Sequence, residues 1–538
     1  MDKKTVLAIA LSFIVLIGWS FFMTPDTPVV TDNTAQTLEQ FENGDNNSSN
    51  SASNIVQTSN NPNSKSLNEA SKADSFLTES TNLMSIVFNE RTGDIRKASL
   101  LKWKDLDSDY VTFNKDGSKD YSQILLPSVS EYKKTVENIE NGKRITFSGN
   151  AGHLIVNKVY ELTNDSYLIK TKIDITNTGA QSFNIPVNVK IGPKLGSGFD
   201  TTSYVFEGAM ISNGDKTYSV KHDDTDKEFL DTAKWAGYTS KYFLFAVASN
   251  TFFKKASITP VENSPVAEIT SEFIVNPTSR VIEEFNFYIG PKYYQDLKAL
   301  DLSLQKSMDY GWFYFIAIPM LYTLNYLYEI FHNYGIAIIF LTIIVKLLTL
   351  PLTLKSMVSM KGMTKVQPEI AKLKEKYKND PAKLNQATME LYKEHNVNPL
   401  SGCFPLLLQI PIFFALYKAL LLSLELKGAP FFGWLVDLSD KDPYYITPIL
   451  MGITMFIQQK MTPSTMDPMQ QKIFLAMPIV FTFLFISFPS GLVLYWLTNN
   501  VLSIIQQYFV NRHNKKDAPH VQEYKHNKKD GKSKNKNK

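Results

Sequence analysis

Apolar residues follow three different rhythms along this chain. In six stretches, residues 5–23, 335–354, 403–424, 444–459, 473–488 and 491–510, they run almost unbroken. Read as helices, these are long enough to cross a bilayer or, for the two shortest, a locally thinned one. Between residues 75 and 300 the runs are short and alternate, at 84–88, 153–160, 167–175, 183–191 and 281–289, with turn sequences such as Arg91-Thr92-Gly93-Asp94 and Asn177-Thr178-Gly179 between them. Tyr167, Ile169, Thr171, Ile173 and Ile175 share one side of an extended chain while Lys170, Lys172 and Asp174 share the other, as in a strand with one wet face. That pattern predicts a β-sandwich over 75–300. A helical rhythm follows in 355–400, where Val366, Ile370, Leu373 and Tyr377 recur every three or four positions and Leu384, Thr388 and Leu391 continue the spacing. Asn379-Asp380-Pro381 separates the two halves, with Asp380 as N-cap and Pro381 as first helical residue, which predicts an antiparallel helical hairpin.

Three segments lie outside these rhythms. Residues 24–74 are rich in Asn, Ser and Thr with Phe41 their only aromatic, so they bury too little to offset chain entropy and read as a tether. Residues 301–334 combine many aromatics with a few polar groups and predict an amphipathic helix lying in the outer interface. The tail, 511–538, carries Arg512 and nine Lys against Asp517, Glu523 and Asp530, a net of +7 that leaves the rest of the chain near −3 of the overall +4. Such a tail is drawn to polyanions such as ribosomal RNA or the membrane surface, or simply fixes topology.

Charge also orients the spans, because short basic loops stay in the cytoplasm. Lys3 and Lys4, then Lys355, Lys361 and Lys365, then Lys460 and Lys472, then Arg512, Lys515 and Lys516 all fall on one side. The 425–442 loop, with two Lys against four acidic residues, falls on the other. The predicted fold is a polytopic α-helical membrane protein of six transmembrane helices: an anchor at 1–23 and a five-helix core within 335–510. It carries an external β-sandwich and a cytoplasmic hairpin at 355–400, with both termini in the cytoplasm. The first stretch has no small-residue cleavage site after it and is expected to stay as the anchor.

The candidate chemistry is sparse. One cysteine, Cys403, excludes an intramolecular disulfide. No His-Glu-x-x-His and no Walker-type glycine-rich loop occur, so no cofactor and no enzymatic activity are expected. Against that background Lys346 stands out, near the middle of the apolar run 335–354. A lysine at the centre of a span costs roughly 2.5–3.5 kcal/mol and usually faces a protein interior or a water-filled cavity. At about 1.5 Å per residue it lies roughly 13–16 Å from either end of its run, beyond the reach of snorkelling. Lys418, close to the end of its own run, can snorkel and is given no role. Thr342 lies one turn before Lys346 on the same face. Gln409 is polar within the third span and either lines a groove or bonds to a neighbouring helix. In the sixth span Thr498, Asn499, Asn500 and Ser503 are polar.

Six separate stretches carry a family resemblance: Asp309-Tyr310-Gly311-Trp312, Asn396-Val397-Asn398-Pro399-Leu400, Gly402-Cys403-Phe404-Pro405-Leu406-Leu407, Asp442-Pro443-Tyr444-Tyr445-Ile446, Asp467-Pro468-Met469-Gln470-Gln471-Lys472 and Phe488-Pro489-Ser490-Gly491-Leu492. Together they resemble the YidC membrane protein insertase family, and the β-domain resembles that of its Gram-negative members. The resemblance implies a bacterial inner membrane with the β-sandwich in the periplasm, and a hydrophilic groove open to cytoplasm and lipid but closed outside, with a basic residue inside it. Most relatives carry arginine where this chain has Lys346. Thr342, Gln409, Thr498, Asn500 and Ser503 are then groove-lining candidates, and Tyr495 and Trp496 match the family's substrate-contacting aromatic pair, with core packing as their alternative. The implied partners are nascent membrane proteins, the Sec translocon, the ribosome through the tail and hairpin, anionic lipids and, as a further possible partner, the signal recognition pathway. A secondary transporter of an anionic solute is the alternative function, although no repeated halves are visible.

Overall fold

The computed structural model describes residues 75–104, 109–115, 120–129, 131–192, 206–378, 380–395, 404–462 and 468–516. The expected anchor at 1–23, the tether at 24–74, the Asn396–Leu400 stretch and the tail beyond 516 lie outside the described residues. The chain divides into two compact units, Met1–Asp309 and Tyr310–Lys538.

The first unit holds two nine-stranded antiparallel sheets. One runs in the order Phe76–Ser80, Met84–Asn89, Asp94–Lys104, Ser122–Leu125, Phe183–Ile191, Ser264–Val275, Lys255–Val261, Glu228–Leu230, with Tyr110–Phe113 paired to Asp94–Lys104. The other runs Thr217–Lys221, Gly208–Ser212, Ala233–Thr239, Phe243–Phe253, Arg280–Pro291, Leu168–Asn177, Leu154–Thr163, Gly142–Ala151, Tyr132–Ile139. Aromatic side chains meet between the sheets. Phe88 lies 5.0 Å from Tyr160 and 5.7 Å from Phe147, and Phe113 lies 5.5 Å from Phe245. Such pairs contribute about 0.5–1.5 kcal/mol each beyond the area they bury.

Local sequence explains most of these strands. Leu154–Thr163 alternates, with Leu154, Val156, Lys158, Tyr160 and Leu162 buried. The lysine in that inward series is held by Asp94 at 2.7 Å and by the carbonyls of Thr92 and Ile124, an ion pair linking the two sheets. The predicted Arg91–Asp94 turn is made possible by Gly93 at φ +68°. One expectation fails in Leu168–Asn177. Lys170 is exposed as predicted, but Asp174 is buried because Arg280 of the paired strand grips both its oxygens, at 2.7 and 2.6 Å. Those hydrogen bonds hold its carboxyl below the usual range.

Just after Arg280–Pro291 sits Lys292, 2% exposed. Its Nζ donates to Thr239 Oγ1 at 2.9 Å and to Ser240 O at 2.5 Å, and no carboxylate pairs with it among the described residues. Burial alone lowers its pKa to about 7. A short helix, α1 (Tyr294–Ala299), follows.

The second unit is helical: α2 (Tyr314–Phe331), α3 (Tyr334–Lys376), α4 (Pro381–Glu394), α5 (Phe404–Leu422), α6 (Ile446–Met461), α7 (Pro468–Phe485) and α8 (Ser490–Lys516). Helix α8 packs against both α3 and α6; α2 packs against α3 and α5, and α7 packs against α6. Within α3 the stretch Tyr334–Met360 is long and apolar enough to cross a membrane, whereas Leu407–Leu422 and Phe474–Phe485 are apolar but shorter. Nothing in Leu354-Lys355-Ser356 breaks a helix, and α3 runs on from the apolar stretch to Lys376, enclosing Pro351 and Pro368. Residues 511–516, the start of the basic segment, complete α8. Asp380 caps α4 by accepting from Lys383 N at 3.1 Å, α4 packs against α3, and of the residues at the expected spacing Val366 and Leu391 are buried. Helix α2 buries Ala317, Met320, Leu321, Leu324 and Leu327 and exposes Tyr314, Phe315, Tyr326 and Ile330, an aromatic outer face instead of a charged one.

Lys292 generates a pH signature. Its unfolded pKa is about 10.4, so between pH 7 and pH 10 the unfolded chain binds more protons and stability rises with pH. Relative to Lys292→Met, opening free energies from hydrogen exchange in Phe243–Phe253 should gain about 1.4 kcal/mol per pH unit from pH 7.5 to 9.5. Parallel profiles for the two proteins would show that the amine is already charged.

Candidate functional site

The site is built on the contact between α3 and α8. Asn333 starts α3 by accepting from Ile336 N at 3.0 Å. Three turns on, Lys346 reaches across and donates to Ser503 Oγ at 2.6 Å and Asn499 Oδ1 at 3.3 Å. Ser503 Oγ in turn donates to Asn499 O at 2.7 Å, so one turn of α8 presents two neutral oxygens to the ammonium. No carboxylate pairs with Lys346 among the described residues. Neutral oxygens therefore hold the Lys346 amine in place without supplying a counter-charge. At an effective dielectric of 20, a carboxylate about 4 Å away would be attracted by about 4 kcal/mol.

The other candidates fall into separate places. Thr342 is buried and spends its hydroxyl on Ile338 O of its own helix, at 2.6 Å. Thr498 does the same with Leu494 O at 2.8 Å. Asn500 points away from Lys346 to α6, donating to Met451 O at 3.3 Å and Thr454 Oγ1 at 3.4 Å. Gln409 of α5 donates to Tyr495 Oη at 2.7 Å, joining α5 to a buried tyrosine of α8. Trp496 lies against an aromatic group from α5 and α7, with Phe413 at 4.9 Å, Phe485 at 5.3 Å and Phe481 at 6.2 Å. Lys346, Ser503 and Asn499 thus form one cluster, Gln409 and Tyr495 a second, and Trp496 belongs to an aromatic third.

A further polar pair was not among the candidates. Gln506 Nε2 donates to Thr353 Oγ1 at 2.9 Å, and both residues are buried in the same α3–α8 seam. Helical spacing carries the signal, since Thr353 lies seven residues after Lys346 and Gln506 three after Ser503. Beside this seam is a cavity of about 310 Å³ walled by Ile343, Leu347, Leu350, Leu502, Ile505 and Phe509 and bordered by Lys346 and Gln506, with an almost wholly apolar surface. The polar line along the seam therefore borders an apolar crevice. Among the described residues no group of His, Cys, Asp or Glu is placed to hold a metal ion.

Two family models match the chain: one described as 60Kd inner membrane protein over residues 326–517, the other as YidC periplasmic domain over residues 77–323. The chain is 37% identical to the membrane protein insertase YidC of Geotalea daltonii over 535 residues, 95% of this chain and 99% of that protein. It is 46% identical to the protein of the same name from Geobacter sulfurreducens, over 66% of this chain and 68% of that protein. A crystal structure of an active YidC insertase with its first transmembrane domain resolved aligns with 81% of this chain and 92% of that chain, at 20% identity and a TM-score of 0.38.

A double-mutant cycle tests the central contact. Lys346→Met and Ser503→Ala, measured by unfolding in detergent micelles, should be non-additive by about 1 kcal/mol, between the mean for hydrogen bonds in membrane interiors and that for bonds to charged groups. Additive losses would mean the two side chains do not share a bond.

Proposed function

Because this chain belongs to the YidC membrane protein insertase family, we propose that it integrates and helps fold nascent inner-membrane proteins through a groove bordered by α3 and α8, with Lys346 as the groove's charge. The family is one of inner-membrane proteins with a periplasmic domain, and the β-sandwich is that domain. Nothing in the relatives supports the secondary-transporter alternative. The observation that carries the proposal is the Lys346 ammonium, held by Ser503 and Asn499 and facing no carboxylate among the described residues.

The mechanism is a lowered barrier. Moving a short polar or acidic segment through hydrocarbon strips water from its backbone and charges. A groove that admits water from the cytoplasmic side shortens the dry path, and the ammonium at mid-depth attracts acidic groups that would otherwise cross unpaired. The hydrophobic segment then leaves sideways into lipid. Burial of its apolar surface, roughly 25 cal/mol per Å², drives that step, so no nucleotide is required. Thr342, Gln409, Thr498, Asn500 and Ser503 line or brace the groove in this reading, Trp496 of the aromatic pair meets the incoming segment, and Tyr495, buried against Gln409, supports it from behind.

The topology belongs to the same proposal. The six spans, an anchor at 5–23 and five in the core, alternate with both termini in the cytoplasm, as the basic loops require. Helix α2 rests in the outer interface on its aromatic face. The hairpin formed by the end of α3 with α4, together with the basic tail, meets the ribosome, the Sec translocon or anionic headgroups, and the signal recognition pathway delivers some clients.

Lys346→Ala should lower insertion of a short-tailed, acidic client by roughly tenfold, the factor that about 1.4 kcal/mol sets, in proteoliposomes holding the purified chain. Lys346→Arg, which keeps a donor for both α8 oxygens, should stay within a few-fold of wild type. Equal insertion by both variants would remove the charge from the mechanism.

A further inference from the structure

The loop between α5 and α6 ties together the N-termini of three helices. The first is α3, where Asn333 Nδ2 donates to Phe431 O at 3.3 Å and Gly335 leaves no room for a Cβ beside the Phe431 ring. The second is α8, where Ser490 N donates to Asp440 O at 2.7 Å, Ser490 Oγ to Asp437 O at 2.9 Å and Gly491 N to Leu438 O at 2.9 Å. Lys441 and Pro489 form an antiparallel bridge beside them. The third is α6, whose first residues are held by one side chain. Tyr445, at the N-cap position with φ +58°, provides no side-chain cap. Asp442 takes its place: Oδ2 accepts from Thr447 N at 2.7 Å and Thr447 Oγ1 at 2.8 Å, and Oδ1 accepts from Tyr444 N at 3.0 Å.

Asp442, Leu438 and Ser490 are fully buried, so this is an interior joint inside a loop that runs over the helix ends. A carboxylate suits it for two reasons. Both oxygens accept, whereas an amide would turn an N–H₂ toward one of these donors. Its negative charge also sits against the N-terminus of α6, which carries partial positive charge and N–H groups without intrahelical partners. The loop's acidic composition places this joint at the outer ends of the helices, opposite the proposed cytoplasmic opening.

We propose that Asp442 is a positioning residue for insertion: by capping the start of α6 it holds the end of the α5–α6 loop, whose other residues bond across the outer ends of α3 and α8, and this closure stays shut while a client passes. The proposal rests on the insertase reading and adds to it the part that bars the outer route. A client that enters from the cytoplasm and leaves sideways never needs this joint to open.

The test uses the full chain in inverted and right-side-out membrane vesicles, in a Cys403→Ser background. With Thr342→Cys as reporter, a membrane-impermeant maleimide added from outside should react at least tenfold faster when Asp442→Ala is present. Asp442→Asn, which keeps one acceptor oxygen, should give an intermediate rate. Separately, Lys441→Cys with Pro489→Cys places two thiols at the antiparallel bridge, within reach of a disulfide. The oxidised pair should insert a client within about twofold of the reduced pair. Unchanged outside labelling in Asp442→Ala would overturn the positioning role, and arrest of insertion by the disulfide would show the loop to be a moving gate. The disulfide arm stands even if Asp442→Ala fails to fold. Failure of the wild-type chain to insert would instead remove the insertase reading.

Discussion

The contact between Lys346 and the two oxygens of α8 is the constraint from which the rest of the helical unit follows. A charge that deep in an apolar run is tolerated only if its N–H groups are satisfied, and Ser503 and Asn499 do so without neutralising it. Had an aspartate stood at 499 or 503, the pair would be electrically quiet. Neutral partners leave a positive field available to whatever approaches. The contact also limits how far α3 and α8 can separate, since Lys346 must span the seam to reach Ser503.

Keeping α8 in that place is the work of the surrounding helices. Asn500 ties it to α6 and Gln409 ties α5 to Tyr495, so three consecutive turns of α8 are referenced to three different neighbours. The aromatic group around Trp496 fills the side of α8 toward α5 and α7 with rings that bury area without demanding hydrogen bonds. At the other extreme of the unit, the α5–α6 loop joins helix N-termini through backbone bonds. The β-sandwich is stabilised differently, by aromatic packing between sheets and by the Lys158–Asp94 pair, whose desolvation is offset by two further carbonyl acceptors on the lysine.

Much of this was legible in the residues, and the gaps have physical causes. The isolation of Lys346 in an apolar run marked the site because a mid-span charge has few explanations. Its partners were not legible. Residues 498, 499 and 500 point about 100° apart around a helix, and which of them faces α3 depends on how the helices rotate in packing. The onset of lysines at 355 reports where the chain leaves an apolar surrounding, which is not where a helix must stop, and α3 runs on to Lys376. In the sandwich the alternating strands stood out, but Phe243–Ser249, buried on both faces, shows no alternation and was missed. Asp174 was assigned to the wet face because its partner Arg280 is 106 residues further along. The Asp442 joint was hidden likewise: Asp442-Pro443-Tyr444-Tyr445-Ile446 looked like a family signature, but its cap forms only when the chain turns left-handed at Tyr445.

Water at position 346 decides whether this arrangement is a groove or merely a buried bond. In a Cys403→Ser background, a cysteine at 346 can be challenged in intact membranes with a small hydrophilic thiol reagent added from the cytoplasmic side. A groove predicts labelling within about tenfold of an exposed loop cysteine, and protection when a stalled nascent chain is bound. A position 346 that stays unlabelled under conditions that label the loop would show the seam to be dry, and would contradict the account.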